Sequence, residues 1–132
     1  MFATLNGERT LTELDFARLM LRSGQLPTEL KSSFEFPHLV ASQDIPADVI
    51  TMYSQVEIVD RLLQRRQKLT LCYPCDAEPS LGFISVLSPV GASLLGLSVG
   101  ATVHWHTPTG DLCTAEVTAL LFQPEASGDY TT

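Results

Sequence analysis

Ser85-Val86-Leu87-Ser88-Pro89-Val90-Gly91-Ala92-Ser93-Leu94-Leu95-Gly96-Leu97 is the stretch on which the fold turns. Ser88 is of the type that caps a helix N-terminus, because its hydroxyl can accept from a free amide of the first turn. Pro89 follows at the position where a missing amide costs nothing. The apolar residues beyond complete one short helix, and Gly91 and Ala92 carry so little side chain that this helix can approach a sheet closely. β-Branched runs lie on both sides: Gln55 to Arg61, Lys68 to Tyr73 and Phe83 to Leu87 before it, Ala101 to Thr107 and Leu112 to Phe122 after it. Each run is bounded by turn residues, and Thr107-Pro108-Thr109-Gly110-Asp111 is a hairpin turn. The spacing predicts an antiparallel sheet curved around the single helix, in the α+β class.

Upstream, the apolar spacing changes from two to three and four. Thr10-Leu11-Thr12-Glu13 has the form of a capping box, in which a hydroxyl and a carboxylate satisfy the free amides of a first turn. Leu11, Leu14, Ala17, Met20 and Leu21 then predict a helix over about residues 11 to 22, ended by Ser23-Gly24. Pro27 can open a second helix whose stripe is Leu26, Leu30 and Phe34, so that the two form a short coiled-coil-like hairpin. Pro37 interrupts or ends that second helix, and the pattern of Leu39 to Ser42 is compatible with either outcome. Asp44, Pro46 and Asp48 mark a boundary, which divides the chain into a helical hairpin over 1–45 and a sheet-and-helix domain over 46–132. The polar tail from Gln123 leaves the sheet at Pro124.

The 132 residues are 45% hydrophobic, enough for a core, and carry 15 acidic against 8 basic side chains for a net charge of −7. That balance disfavours direct binding to phosphate backbones, which Lys and Arg provide for. The longest apolar runs stop well short of a membrane span, and Met1-Phe2-Ala3-Thr4 does not open a secretory signal, so a cytosolic protein is expected. Three cysteines, Cys72, Cys75 and Cys113, are too few and odd in number for a disulfide framework.

Among the chemistry-bearing motifs, Cys72-Tyr73-Pro74-Cys75 has the spacing of a thiol pair for redox work or metal binding. It closes a strand instead of opening a helix, and no second ligand pair completes a zinc site. His104 and His106 share one face of a strand with Trp105 on the other, since side chains alternate. An exposed polar face over a core tryptophan explains them without a metal. His38, beside Pro37, reads as a surface residue. Arg61, Arg65, Arg66 and Lys68 hold half of the positive charge within eight residues, on a hairpin turn. They read either as a solvated turn that discourages edge pairing or as a patch for an acidic partner. No nucleophile elbow, phosphate loop or zinc-protease motif is present, so the residues themselves describe a small binding domain with a helical appendage and no enzyme.

Ser85 to Gly100, followed by Val103, Trp105, Pro108 and Gly110, resembles the C-terminal domain of bacterial Gre transcript-cleavage factors. Pro46-Ala47-Asp48-Val49-Ile50-Thr51-Met52 and Gln123-Pro124-Glu125-Ala126-Ser127-Gly128-Asp129-Tyr130 resemble the Gre-related family called regulator of nucleoside diphosphate kinase. The likeness covers residues 46–132, and the N-terminal helices by layout. It implies an FKBP-like fold and a cytoplasmic, monomeric, non-catalytic transcription regulator without cofactor or metal. Such a protein docks on RNA polymerase at the rim of its secondary channel, competes there with Gre factors, and meets DNA only through the polymerase. In Gre factors the docking surface includes a serine, an aspartate and a Ser-Pro before the short helix; Ser85, Ser88 and Pro89 match, and Leu87 replaces the aspartate. These four are the expected partner-binding residues, with Arg61, Arg65, Arg66 and Lys68 as an accessory basic patch.

Full Gre factors also carry acidic residues at the tip of a long coiled coil, where they bind a catalytic magnesium. Here a helix of ~11 residues is about 16 Å long, and the loop Arg22-Ser23-Gly24-Gln25-Leu26-Pro27 has no carboxylate to offer a hard cation. Cleavage is therefore not expected. Two alternative functions are a direct protein-binding regulator of nucleoside diphosphate kinase and, from the FKBP-like fold alone, a peptidyl-prolyl isomerase.

Overall fold

The computed structural model describes residues 9–27, 30 and 38–130. Two capping patterns overlap at the first helix, Thr10 to Glu13 and Thr12 to Asp15. Tertiary contacts select the second. Thr10–Thr12 forms strand β1, with the Thr10 amide donating to the Gly96 carbonyl at 3.1 Å. That leaves Thr12 as the N-cap, its Oγ1 accepting from the Asp15 amide at 3.0 Å. Helix α1 is accordingly Glu13–Met20, shorter at both ends than the expected 11–22. Strand β2, His38–Val40, runs parallel to β1, so Leu39 and Val40 extend and do not resume a helix. Of the predicted second helix, Leu30 is buried and its amide donates to the Pro27 carbonyl at 2.9 Å, whereas Phe34 and Pro37 lie outside the described residues.

The main sheet has five strands: β3 Gln55–Asp60, β4 Arg66–Cys72, β5 Phe83–Ser85, β6 Thr102–His106 and β7 Leu112–Phe122. Their order is β5-β4-β3-β7-β6. The expected all-antiparallel sheet is corrected at one edge, because β5 runs parallel to β4 with Cys72 opposite Ser85. Two single-turn helices, Pro74–Asp76 and Pro79–Leu81, carry the chain back along β4, and Gly82, at φ +86°, turns it into β5. An L side chain at Gly82 would be strained in that left-handed conformation. Register shifts between β3 and β7 bend the sheet.

Helix α2, Pro89–Leu94, packs into the curl, as the Ser88-Pro89 signature predicts. Its Ala92 and Leu94 join Ile50, Met52, Val56, Ile58, Leu71, Val86, Val103 and Val117 in a continuous apolar core, to which Leu11, Leu19, Leu26 and Leu30 also belong. The tail departs from the sheet after Phe122 but stays packed. The Gln123 side-chain amide donates to the carbonyls of Pro46 at 2.8 Å and Val49 at 2.7 Å, and Glu125 accepts from the Thr51 hydroxyl at 2.7 Å. No helix among the described residues is long and apolar enough to cross a membrane.

Candidate functional site

The turn from β5 into α2 is built from two serines whose hydroxyls are both committed to the backbone. Val86, fully buried, extends the pairing with β4 by donating its amide to the Cys72 carbonyl at 2.8 Å. The Ser85 hydroxyl accepts from the Leu87 amide at 3.0 Å, and the Ser88 hydroxyl donates to the Ser85 carbonyl at 2.7 Å while accepting from the Gly91 amide at 3.2 Å. Each serine thus replaces a bond the turn would otherwise leave unmade. Leu87 is half-buried with its side chain against the core, and Pro89 is the member of the four that is exposed.

Gly91 is required beneath this turn. A Cβ there would stand 2.0 Å from the Ser85 carbonyl oxygen, inside any possible contact. At the other end of α2, buried Arg9 donates through its guanidinium to the carbonyls of Ala92 and, at 3.0 Å, Leu95. A cation at a helix C-terminus satisfies its orphan carbonyls and opposes the helix dipole. Sequence reasoning missed Arg9, because nothing local links a residue before β1 to a helix eighty positions away.

Asp15 likewise carries no local sign of its role. It is buried, and one of its oxygens accepts from the Met52 amide at 3.2 Å, tying α1 to the segment that leads into β3. Burial, reinforced by the nearby charge of Glu125, pushes its carboxyl up to about 6 despite that hydrogen bond. Beside it, the Thr51 amide donates to the Ser54 hydroxyl at 2.9 Å, so Thr51, Ser54 and Glu125 form one buried polar cluster.

Past the end of β4, a groove of about 540 Å³ runs between α1 and the Cys72–Cys75 segment, lined by Arg18, Leu21, Arg22, Gln25, Tyr73 and Cys75. Arg22 lies 5.8 Å from the centre of the Tyr73 ring, a cation–π distance. Burial holds the Tyr73 hydroxyl up at about 12. Cys72 is buried, its thiol raised by desolvation, and Cys75 is exposed. Among the described residues no group of three His, Cys, Asp or Glu side chains could hold a metal ion. His104 and His106 lie exposed on one face of β6, with Trp105 packed against the core behind them.

The basic patch lies elsewhere. Arg61 and Arg65 belong to the β3–β4 turn, whereas Arg66 and Lys68 are on β4 itself, and all four are exposed. Because β4 starts at Arg66 and ends at Cys72 beside Ser85, the patch and the Ser85–Pro89 turn occupy opposite ends of the sheet. The fold does not bring the two sets together.

Residues 45–121 match the family described as "Transcription elongation factor, GreA/GreB, C-term". The "Regulator of nucleoside diphosphate kinase" of Escherichia coli strain K12 is 39% identical over 101 residues, which are 76% of this chain and 74% of that protein. "Transcription elongation factor GreA" of Solidesulfovibrio magneticus is 42% identical over 74 residues, 56% of this chain and 45% of that longer protein. Among solved structures, a prokaryotic transcription elongation factor GreA/GreB from Nitrosomonas europaea superposes with a TM-score of 0.72 at 29% identity, covering 87% of this chain and 98% of that one.

Proposed function

The chain belongs to the GreA/GreB C-terminal family, together with the regulators of nucleoside diphosphate kinase, and on that premise we propose that it is a non-catalytic, cytoplasmic regulator that binds bacterial RNA polymerase at the rim of its secondary channel and competes there with Gre cleavage factors. The observation that carries the reading is the Ser85–Pro89 turn. It is held rigid by its own serines, presents Pro89 outward, and stands on the family scaffold where the resemblance to Gre factors locates their polymerase contact. The non-catalytic part rests on reach and chemistry. Helix α1 has eight residues, about 12 Å at 1.5 Å per residue. The following loop from Arg22 to Pro27 carries no carboxylate with which to hold a hard divalent cation.

Competition supplies the test. When stalled elongation complexes are mixed with a cleaving Gre factor, this protein is expected to suppress RNA cleavage in proportion to its occupancy, to cause none alone, and to be displaced by excess Gre factor. Pro89→Trp, a bulky change at the exposed corner, should weaken the suppression with the fold intact. Cleavage by this protein alone would refute the non-catalytic reading. Simultaneous binding of both factors to one polymerase would refute the shared site. The name of the Escherichia coli relative supports a second reading, direct regulation of nucleoside diphosphate kinase; co-purification with the kinase and not with polymerase would favour it.

A further inference from the structure

The end of the sheet far from Ser85 carries side chains for which the fold has no use. Leu62 and Leu63, in the β3–β4 turn, are 88% and 59% exposed, and Leu112, at the start of neighbouring β7, is 61% exposed. Leu62 and Leu112 flank a groove of about 390 Å³ whose other walls are Asp60, Arg61, Cys113 and Thr114. Single exposed leucines are ordinary on protein surfaces. These are clustered, and they are held in place. The Asp60 carboxylate accepts from the amides of both Leu62 and Leu63, at 2.8 and 2.9 Å. The Asp60 amide donates to the Arg65 carbonyl at 2.8 Å, and the Arg61 amide donates to the Thr114 carbonyl of β7 at 3.1 Å. A turn this constrained presents its leucines at little further entropic cost to a partner.

Around the leucines stand Arg61, Arg65, Arg66 and Lys68, half of the basic residues of a chain whose net charge is −7. Among the described residues, Arg66 reaches the Glu57 carboxylate only at 3.8 Å. Meanwhile the Ser85–Pro89 turn is uncharged, since Leu87 stands where Gre factors carry an acid. These four exposed cations therefore stand at the opposite end of β4 from the turn, along a strand of seven residues or about 23 Å. A single partner that meets both must reach across that length of sheet.

From this, and resting on the polymerase reading above, we infer that the Arg61–Arg66 hairpin tip is a second polymerase contact, docking its leucines into an apolar socket bordered by carboxylates. The tip provides charge-steered encounter and a small apolar anchor. The Ser85–Pro89 turn provides shape.

The test is binding to purified core polymerase across a salt series, with thermal unfolding of every variant as the control for fold. Arg61→Glu together with Arg65→Glu should weaken binding at low salt by at least about tenfold and flatten its salt dependence. Leu62→Ser together with Leu63→Ser should weaken it by a similar factor through faster dissociation and leave the salt slope alone. Wild-type binding that neither double variant changes would overturn the inference and leave the rim reading standing. Failure of the wild-type protein to bind at all, where a Gre factor binds, would overturn the polymerase reading and this inference with it. Tip variants that lose purified nucleoside diphosphate kinase and keep polymerase would also overturn it.

Discussion

Strand β7 runs the length of the sheet, and what lies at its two ends differs in how polar and apolar atoms are used. At the Phe122 end, serine hydroxyls, the Gln123 amide, Asp15 and Glu125 are spent inside the protein on turns and chain crossings. On the Ser85–Pro89 turn itself, what remains for a partner is shape, with Pro89 at its corner. At the Leu112 end the backbone is equally well bonded, but the side chains of Arg61, Leu62, Leu63 and Arg65 point away from the core. One end therefore couples stability to the contact it makes, because a substitution of its serines or of Gly91 disturbs the turn itself and Pro89 alone of the turn's contact residues stands exposed. The other end can change its surface without cost to the fold.

The largest effect that would break this contrast is at Gly91. Gly91→Ala places a Cβ 2.0 Å from the Ser85 carbonyl oxygen, 2.9 Å from the Ser85 carbonyl carbon and 3.2 Å from Leu71 Cδ1. The first two neighbours are backbone, so α2 or the Ser85–Ser88 turn must shift. A loss of roughly 3 kcal/mol or more is expected in urea or thermal unfolding, at the upper end for overpacking. Binding through the turn should fall along with it. A variant as stable as the wild type would mean that the turn is looser than its hydrogen bonds imply.

Next in size is Asp15→Asn, which tests whether the buried polar cluster stabilises or costs. With the folded carboxyl at about 6 and the unfolded one near its ordinary 3.8, the folded protein holds a proton between those values that the unfolded chain has released. Stability contributed by this group is therefore present below about pH 4, falls as pH rises towards 6, and stays lower above it. The shift corresponds to roughly 3 kcal/mol at neutral pH by the conversion of 1.36 kcal/mol per unit. The asparagine oxygen can still accept from the Met52 amide, while its NH2 replaces the second carboxyl oxygen, which has no partner among the described residues. The variant should lose the slope between pH 4 and 6 and gain about 1–2 kcal/mol on the wild type at pH 8, after discounting the unpaired amide. An unchanged slope in unfolding experiments from pH 4 to 8 would show that Asp15 is ionised throughout.

The two ends also differed in how far sequence could anticipate them. Local chemistry was legible where it acts alone: Ser88-Pro89 opens α2, Leu112–Phe122 is a strand over the span its pattern predicts, and Thr107 to Asp111 closes a hairpin. It misled where a distant partner chose between local options. Thr10 and Thr12 both head capping patterns, and the Gly96 carbonyl and strand β2 decide for Thr12. The parallel direction of β5 depends on how the chain returns after Cys72, which alternation cannot encode. The packing of Gln123 and Glu125 in the polar tail is not legible locally, because their partners, Pro46, Val49 and Thr51, are more than seventy positions away. At the hairpin tip the arginines were visible in the sequence. Leu62 and Leu63 carry no such sign, since only the turn geometry reveals that both face water.

The smallest expected effect sharpens the contrast most. Gln64 sits in the tip at φ 55°, a left-handed conformation that costs an L residue about 1 kcal/mol. Its backbone amide donates to the Asp60 carbonyl at 2.8 Å, and its side-chain amide donates to the Arg61 carbonyl at 3.0 Å. Gln64→Gly relieves the strain, but it frees the unfolded chain by a comparable amount and removes the exposed side-chain bond. Unfolding free energy should therefore move by no more than about 0.5 kcal/mol in either direction. The same change lets the turn sample more conformations, so Leu62 and Leu63 are less well presented. Affinity for a partner docked at the tip should fall a few-fold, because ordering the loop must then be charged to binding. Stability measured by urea unfolding and affinity measured on the same samples would thus separate at this position, where at Gly91 they fall together. A Gln64→Gly protein that loses several kcal/mol of stability would show that the tip is part of what holds the sheet, and the two ends would then no longer differ in kind.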